Sequence, residues 1–197
     1  RAAVSRAREL GAVIVNDECY AELTWVDDGP TPSILDSRVI GDSRDHVLSV
    51  YSLSKQSNLA GYRAGFVAGC SDLIDELLAV RKHLGLIPPA PVQAAMVAAL
   101  GDDVHVAAQR ERYRMRRGDL VTALTAAGFR VDDSVAGLYL WATHGEDAWT
   151  SVEWLAERGI LVAPGTFYGE SPATHVRVAL TATDADVARA VDRLAPA

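Results

Sequence analysis

An α/β fold is what this sequence predicts: helices layered on a mainly parallel sheet, followed by a smaller α/β unit at the C-terminal end. Three observations carry that expectation. Short apolar runs such as AVIV at 12–15 and VLSVY at 47–51 end in polar residues, which reads as buried parallel strands. Helical patterns alternate with these runs, as in layered α/β architectures rather than bundles. Beyond a long alanine- and arginine-rich stretch the chain changes style, to short strands separated by helices.

The elements follow in order. Residues 1–10 have a helical pattern, and Gly11 is the C-terminal signal. Residues 12–15 read as the first strand. Residues 27–44 are rich in Asp, Gly, Pro and Ser and read as a loop. Residues 47–51 form a second strand that ends in a Ser-Leu-Ser-Lys bend, and residues 63–68 form a third. Ser71 is the expected cap of a helix reaching about residue 83, with Leu73, Leu77 and Val80 on one face. Pro88, Pro89 and Pro91 break the chain. Helices are expected at 92–100 and 103–127, the second closed by Gly128. Strands are expected at 129–131, 137–143, 160–163 and 175–180. Helices at 148–158 and 184–194 complete the pattern, and Thr183 is placed to cap the last. The predicted organisation is a large-domain portion over 1–100, a long interdomain helix over 101–128 and a small domain over 129–197.

Composition narrows the function classes. The chain has 197 residues and a formal net charge of −7, with 49% hydrophobic and 23% charged residues. No block of lysine and arginine suits nucleic acid; the densest basic stretch, QRERYRMRRGD at 109–119, is interspersed with acids and reads as a solvated helix face. No apolar run spans a membrane, and no signal peptide is visible. Cys19 and Cys70 have no metal-ligand spacing. They read as small apolar filler in a reduced, cytoplasmic setting. The five histidines are scattered, and none is assigned to catalysis or a metal. The first residue is Arg1 rather than Met, within a helical pattern, so the sequence is expected to be the C-terminal piece of a longer protein.

Chemistry concentrates in YSLSKQSNLAGYRAGF at 51–66. Lys55 offers an amine that can bond covalently to an aldehyde. Serine hydroxyls at Ser52 and Ser54 and the guanidinium of Arg63 are natural partners of a phosphate. Upstream, in VIVNDECYAEL, Asp17 follows the first strand and Tyr20 lies three residues on. In an open α/β sheet, ligands bind beyond the carboxyl ends of the strands. Asp17, Tyr20 and Lys55 all lie at such ends. A carboxylate for a ring nitrogen, a phenol for a ring oxygen and an amine for an aldehyde are the groups that pyridoxal phosphate requires.

These motifs resemble the class I/II aminotransferases of fold type I, the aspartate aminotransferase superfamily. The family pattern is an Asp with a Tyr three residues on, then Ser-x-Ser-Lys, then Gly-x-Arg. Here it reads Asp17 and Tyr20, Ser52-Leu53-Ser54-Lys55, and Gly61-Tyr62-Arg63. The resemblance implies that Lys55 forms the Schiff base and that Ser52 and Arg63, with Ser54 beside them, hold the phosphate. It also implies that Arg177, in HVRVALTA behind the turn VAPGTFYG at 162–169, clamps the substrate α-carboxylate. The strand Gly137-Leu138-Tyr139-Leu140-Trp141 resembles the one that faces substrate.

Within the superfamily, the likeness runs furthest to the N-succinyldiaminopimelate aminotransferases of lysine biosynthesis, which use glutamate as amino donor. The implied partners are an amino acid and a 2-oxo acid, with a homodimer in the complete protein. Family members carry roughly as much chain again before the Asp motif, so the piece by itself is expected to be inactive. A lyase of the same fold and an aminotransferase-like sensor domain of a transcription regulator stay open as alternatives.

Overall fold

A computed structural model describes residues 1–26 and 31–195. The chain divides into two compact units, Arg1–Thr24 with Asp28–Ala107, and Trp25–Asp27 with Ala108–Ala197.

In the first unit, helix α1 (Ala2–Glu9) leads into strand β1 (Ile14–Asp17). Helix α2 (Ser37–Ile40) precedes strand β2 (Val47–Ser52), which runs straight into the four-residue helix α3 (Leu53–Gln56). A 3-10 turn at Ala60–Tyr62 leads to strand β3 (Gly65–Gly69), then helices α4 (Ser71–Arg81) and α5 (Ala90–Leu100). The sheet order is β1-β2-β3. The pair β1–β2 is parallel, with Ile14 opposite Val47 and Asp17 opposite Val50. The pair β2–β3 is antiparallel, with Ser52 opposite Gly65. The parallel register sets Asp17, the last residue of β1, opposite Val50, just short of the end of β2 at Ser52 where the lysine bend begins. Val4, Ile34, Ile40 and Val47 form a buried core, with Ile14, Leu35 and Val39 packed against it.

Several elements differ from their sequence readings. Within the predicted 27–44 loop, residues 27–30 lie outside the described residues, and the remainder holds α2. Asp36 caps that helix by accepting the Arg38 N–H at 2.8 Å, a short helix start hidden in a turn-rich composition. Ser71 is the first residue of α4 rather than its cap; Cys70 holds the cap position without a side-chain hydrogen bond. The strands at 12–15 and 63–68 are not fully buried. Val15 is 56% exposed and Phe66 39%, and the α4 residues Leu77 and Val80 are exposed as well. Apolarity alone marks a surface that can be covered, not one that this chain covers.

Helix α6 (Asp103–Ala126) carries the chain across the division between the units. The second unit continues with strands β4 (Arg130–Asp132) and β5 (Tyr139–Thr143), helix α7 (Ala148–Glu157), strand β6 (Ala163–Pro164), strand β7 (His175–Ala179) and helix α8 (Asp184–Leu194). The sheet order is β4-β5-β7-β6, and every pair is antiparallel. The 160–163 strand is displaced to Ala163–Pro164, because only those residues pair with β7, opposite Arg177 and Val176. Leu140, Ala142 and Val176 alternate inward, and Leu155 and Leu180 are fully buried. The Trp25 indole N–H donates to the Gly137 carbonyl at 3.0 Å, a buried bond within this unit. Thr183 caps α8, accepting the Asp186 N–H at 3.1 Å.

Candidate active site

Strand β2 ends where Ser52 turns extended, and its hydroxyl accepts the Ser54 N–H at 3.2 Å to cap α3. The same hydroxyl donates to Ser54 Oγ at 3.0 Å. Leu53, fully buried, pins the helix, and Lys55 projects from it half-buried. After the 3-10 turn, Arg63 takes a left-handed backbone, φ 51°. This differs from the sequence expectation that Arg63 begins a strand: a residue at that φ cannot, and pairing starts at Gly65. Its guanidinium donates to the Ala60 carbonyl at 3.1 Å. A non-glycine residue held left-handed carries a cost its surroundings must offset, and such residues cluster at functional sites.

At the end of β1, Asp17 Oδ1 accepts the Cys19 N–H at 3.0 Å, which turns the chain beyond the strand. Glu18 faces the other way. One of its oxygens accepts Asn16 Nδ2 at 2.9 Å, the Ser33 hydroxyl at 3.0 Å and the Ile34 N–H at 2.6 Å. Burial pushes the Glu18 carboxyl up, but those hydrogen bonds outweigh it and hold the group below its ordinary value. Glu18 thus ties the 33–34 segment to the strand end that presents Asp17.

Asp17, Ser52, Ser54, Lys55 and Arg63 line one cavity of about 320 Å³, together with Cys19, Val50 and Ala60. That volume lies within the range of small-molecule sites. Tyr20 stands beside it, with Lys55 Nζ 5.9 Å from its ring centre. Cys19, read from sequence as apolar filler, is instead part of the wall. Its thiol is pushed up by burial and by the Asp17 carboxylate. Its position directly after the Asp-Glu pair was the available signal. Among the described residues no three or more His, Cys, Asp or Glu side chains are placed to hold a metal ion, and no helix there is long and apolar enough to cross a membrane.

Arg177 belongs to the second unit. On β7 it lies opposite Trp141 of β5. Its guanidinium carbon is 5.6 Å from the Tyr139 ring centre and 5.3 Å from that of Tyr168. Its Nε is buried without a hydrogen-bond partner among the described residues. A half-buried guanidinium with one buried, unmet donor suits an anionic ligand. Beside it, His175 stacks on Trp141 at 5.4 Å and meets Asp132 at 3.0 Å.

The family model "Aminotransferase class I and II" matches residues 1–194. The 4-dedimethylamino-4-oxo-anhydrotetracycline transaminase OxyQ of Streptomyces rimosus is 59% identical over 194 residues, 98% of this chain and 54% of the relative. The probable aminotransferase Rv1178 of Mycobacterium tuberculosis is also 59% identical, over 98% of this chain and 46% of its own length. Among solved structures, an aminotransferase from Neisseria meningitidis matches with a TM-score of 0.85 at 31% identity, covering 98% of this chain and 50% of that one. A probable N-succinyldiaminopimelate aminotransferase from Thermus thermophilus matches with a TM-score of 0.84 at 28% identity, covering 98% and 52%.

The chain belongs to the class I and II aminotransferases, and it has their fold type I architecture. It spans about half the length of the curated relatives it matches. Membership implies pyridoxal phosphate as cofactor. The donor set of the cavity fits that group, with an amine, a carboxylate, two hydroxyls and a guanidinium around a single space.

Proposed function

We infer that the complete protein is a pyridoxal-phosphate-dependent transaminase that moves an amino group between an amino acid and a 2-oxo acid. The shared cavity of Asp17, Ser52, Ser54, Lys55 and Arg63 is the observation that supports this best. When bound, the cofactor supplies an aldehyde for covalent attachment and a ring that accepts electron density from the substrate α-carbon. In this reading Lys55 Nζ is the point of attachment and, once released, the base that moves the α-proton. The Asp17 carboxylate pairs with the ring nitrogen and keeps it protonated. The Tyr20 hydroxyl serves the ring oxygen. Ser52, Ser54 and Arg63 hold the phosphate, and Arg177 holds the substrate α-carboxylate. The organisation into 1–100, 101–128 and 129–197, a homodimer and a cytoplasmic location are part of the same reading, supported by the family likeness.

The finer reading is N-succinyl-LL-2,6-diaminopimelate as amino donor with 2-oxoglutarate as acceptor, and glutamate as donor in the reverse direction. It is supported by the Thermus thermophilus neighbour and by LL-diaminopimelate aminotransferases at 30–32% identity. A second reading, amination of a polycyclic ketone, is favoured by the 59% identity to OxyQ. A panel of donors and keto acceptors, with glutamate release followed by mass spectrometry, separates them. Glutamate formed from 2-oxoglutarate marks a transaminase; its absence with every donor, alongside amino-acid breakdown, marks a lyase.

A further inference from the structure

We propose that His105 is a positioning residue for the lysine bend, acting through Ser57 and oriented by Asp102. The inference rests on the cofactor role of Lys55 given above. His105 Nε2 lies 2.9 Å from Ser57 Oγ, and its Nδ1 lies 3.0 Å from Asp102 Oδ2. The other oxygen of Asp102 accepts the Val104 N–H at 2.9 Å and so holds the start of α6. The Val104 N–H, followed by His105, keeps the Asp102 carboxyl below its ordinary value. A carboxylate only accepts, so Nδ1 carries its hydrogen toward Asp102. In the neutral ring, Nε2 then accepts the Ser57 hydroxyl.

The bend needs such a tie. Helix α3 has four residues, far below the length at which a helix holds itself. Its start is capped by Ser52 and its middle is pinned by Leu53. Its end is Ser57, whose N–H donates to the Leu53 carbonyl at 3.1 Å. Two left-handed non-glycine residues follow, Asn58 at φ 53° and Arg63 at φ 51°, each unfavourable alone. Ser57 is therefore the junction between the helix carrying Lys55 and the turn carrying Arg63. His105 is the side chain that fixes this junction from a distant part of the sequence. The order Ser57–His105–Asp102 is also that of a hydrolytic relay. Asp102, however, is 52% exposed, whereas the relay uses a buried carboxylate, so the geometry is that of a tether.

The test uses the complete protein. Pyridoxal phosphate affinity is measured by absorbance titration for His105→Ala, Ser57→Ala, the double variant and His105→Gln, whose amide can reach Ser57 where Nε2 does. Backbone hydrogen exchange over residues 53–63 is followed without cofactor. His105→Ala and Ser57→Ala are each expected to weaken cofactor binding roughly fivefold, as loss of one hydrogen bond would. Both should speed exchange over 53–63. The double variant should be no worse than either single one, and His105→Gln should recover most of the affinity. Unchanged affinity in His105→Ala, or a loss that Ser57→Ala does not share, overturns the proposal. Should His105→Ala fail to fold, wild-type affinity in Ser57→Ala has the same force. Lys55→Ala separates the two claims: loss of the visible cofactor band there, with no effect of His105 or Ser57, leaves the transaminase reading standing and removes the tether.

Discussion

Lys55 Nζ lies 5.9 Å from the centre of the Tyr20 ring, so the residue that follows the β1 turn faces the amine that follows β2. The parallel pairing of Asp17 with Val50 brings the end of β1 close to that of β2. Lys55→Ala in the complete protein is expected to abolish the visible absorbance that appears on adding pyridoxal phosphate. Tyr20→Phe keeps the ring beside Lys55 and removes only the hydroxyl. It should retain the band and weaken cofactor binding by about 0.5–1.5 kcal/mol, the net worth of one hydrogen bond. A band that survives Lys55→Ala removes Lys55 from the attachment role.

Arg177 offers a charged fork whose Nε has no partner among the described residues, framed by Tyr139 and Tyr168. Arg177→Ala should raise KM for the amino acid by an amount equivalent to about 1.5–3 kcal/mol, the range for a hydrogen bond to a charged group. Arg177→Lys keeps the charge but loses the planar fork, and it should recover only part of that. Steady-state kinetics with a carboxylate-bearing and a carboxylate-free amine checks the assignment, since only the first should respond.

Much of the fold was legible because its signals are local. Thr183 stands before the apolar spacing of α8, and the helix runs over Asp184–Leu194 as the pattern predicts. The lysine bend was legible for a similar reason. Ser52, Ser54 and Lys55 are near neighbours in the chain, and one short helix brings them to one cavity. What stayed hidden depends on distant contacts or backbone angles. The left-handed backbone at Arg63 falls on a residue that is not glycine, so no residue type announces it. The His105–Ser57 bond joins residues far apart in sequence, in a set of histidines that shows no pairing pattern. Cys19 was hidden by its own ambiguity, because a cysteine fills a core or lines a site with the same side chain.

Asp132 accepts both Arg130 and His175, at 2.6 and 3.0 Å. The Arg130 guanidinium first, and His175 after it, hold its carboxyl well below the usual carboxylate range. A carboxyl depressed in the folded state adds stability above its unfolded value of about 3.9, and that contribution fades as the pH falls through the folded value. The Tm of the wild-type chain should therefore exceed that of Asp132→Asn at neutral pH. The gap should narrow once the pH drops below about 4. Thermal melts across the acid range check this, and a gap that widens on acidification would contradict the sign.

Gly165 opens the 3-10 turn Gly165–Tyr168, which carries Tyr168 toward Arg177. A Cβ on Gly165 would lie 2.1 Å from the Pro172 carbonyl oxygen and 2.8 Å from that of His175. Both obstacles are backbone, so no rotamer change relieves them. Gly165→Ala should lower stability by about 1–3 kcal/mol, as overpacking does. It should also raise the amino-acid KM by moving Tyr168 away from Arg177. Gly118, inside α6, is the opposite case, with nothing within 4 Å of a new Cβ. Gly118→Ala should raise stability by about 0.5–1 kcal/mol, the helical difference between the two residues. Denaturant unfolding of both variants tests whether close backbone approach, rather than glycine content as such, sets the cost. A Gly165→Ala protein as stable as wild type would show that the turn can open without loss.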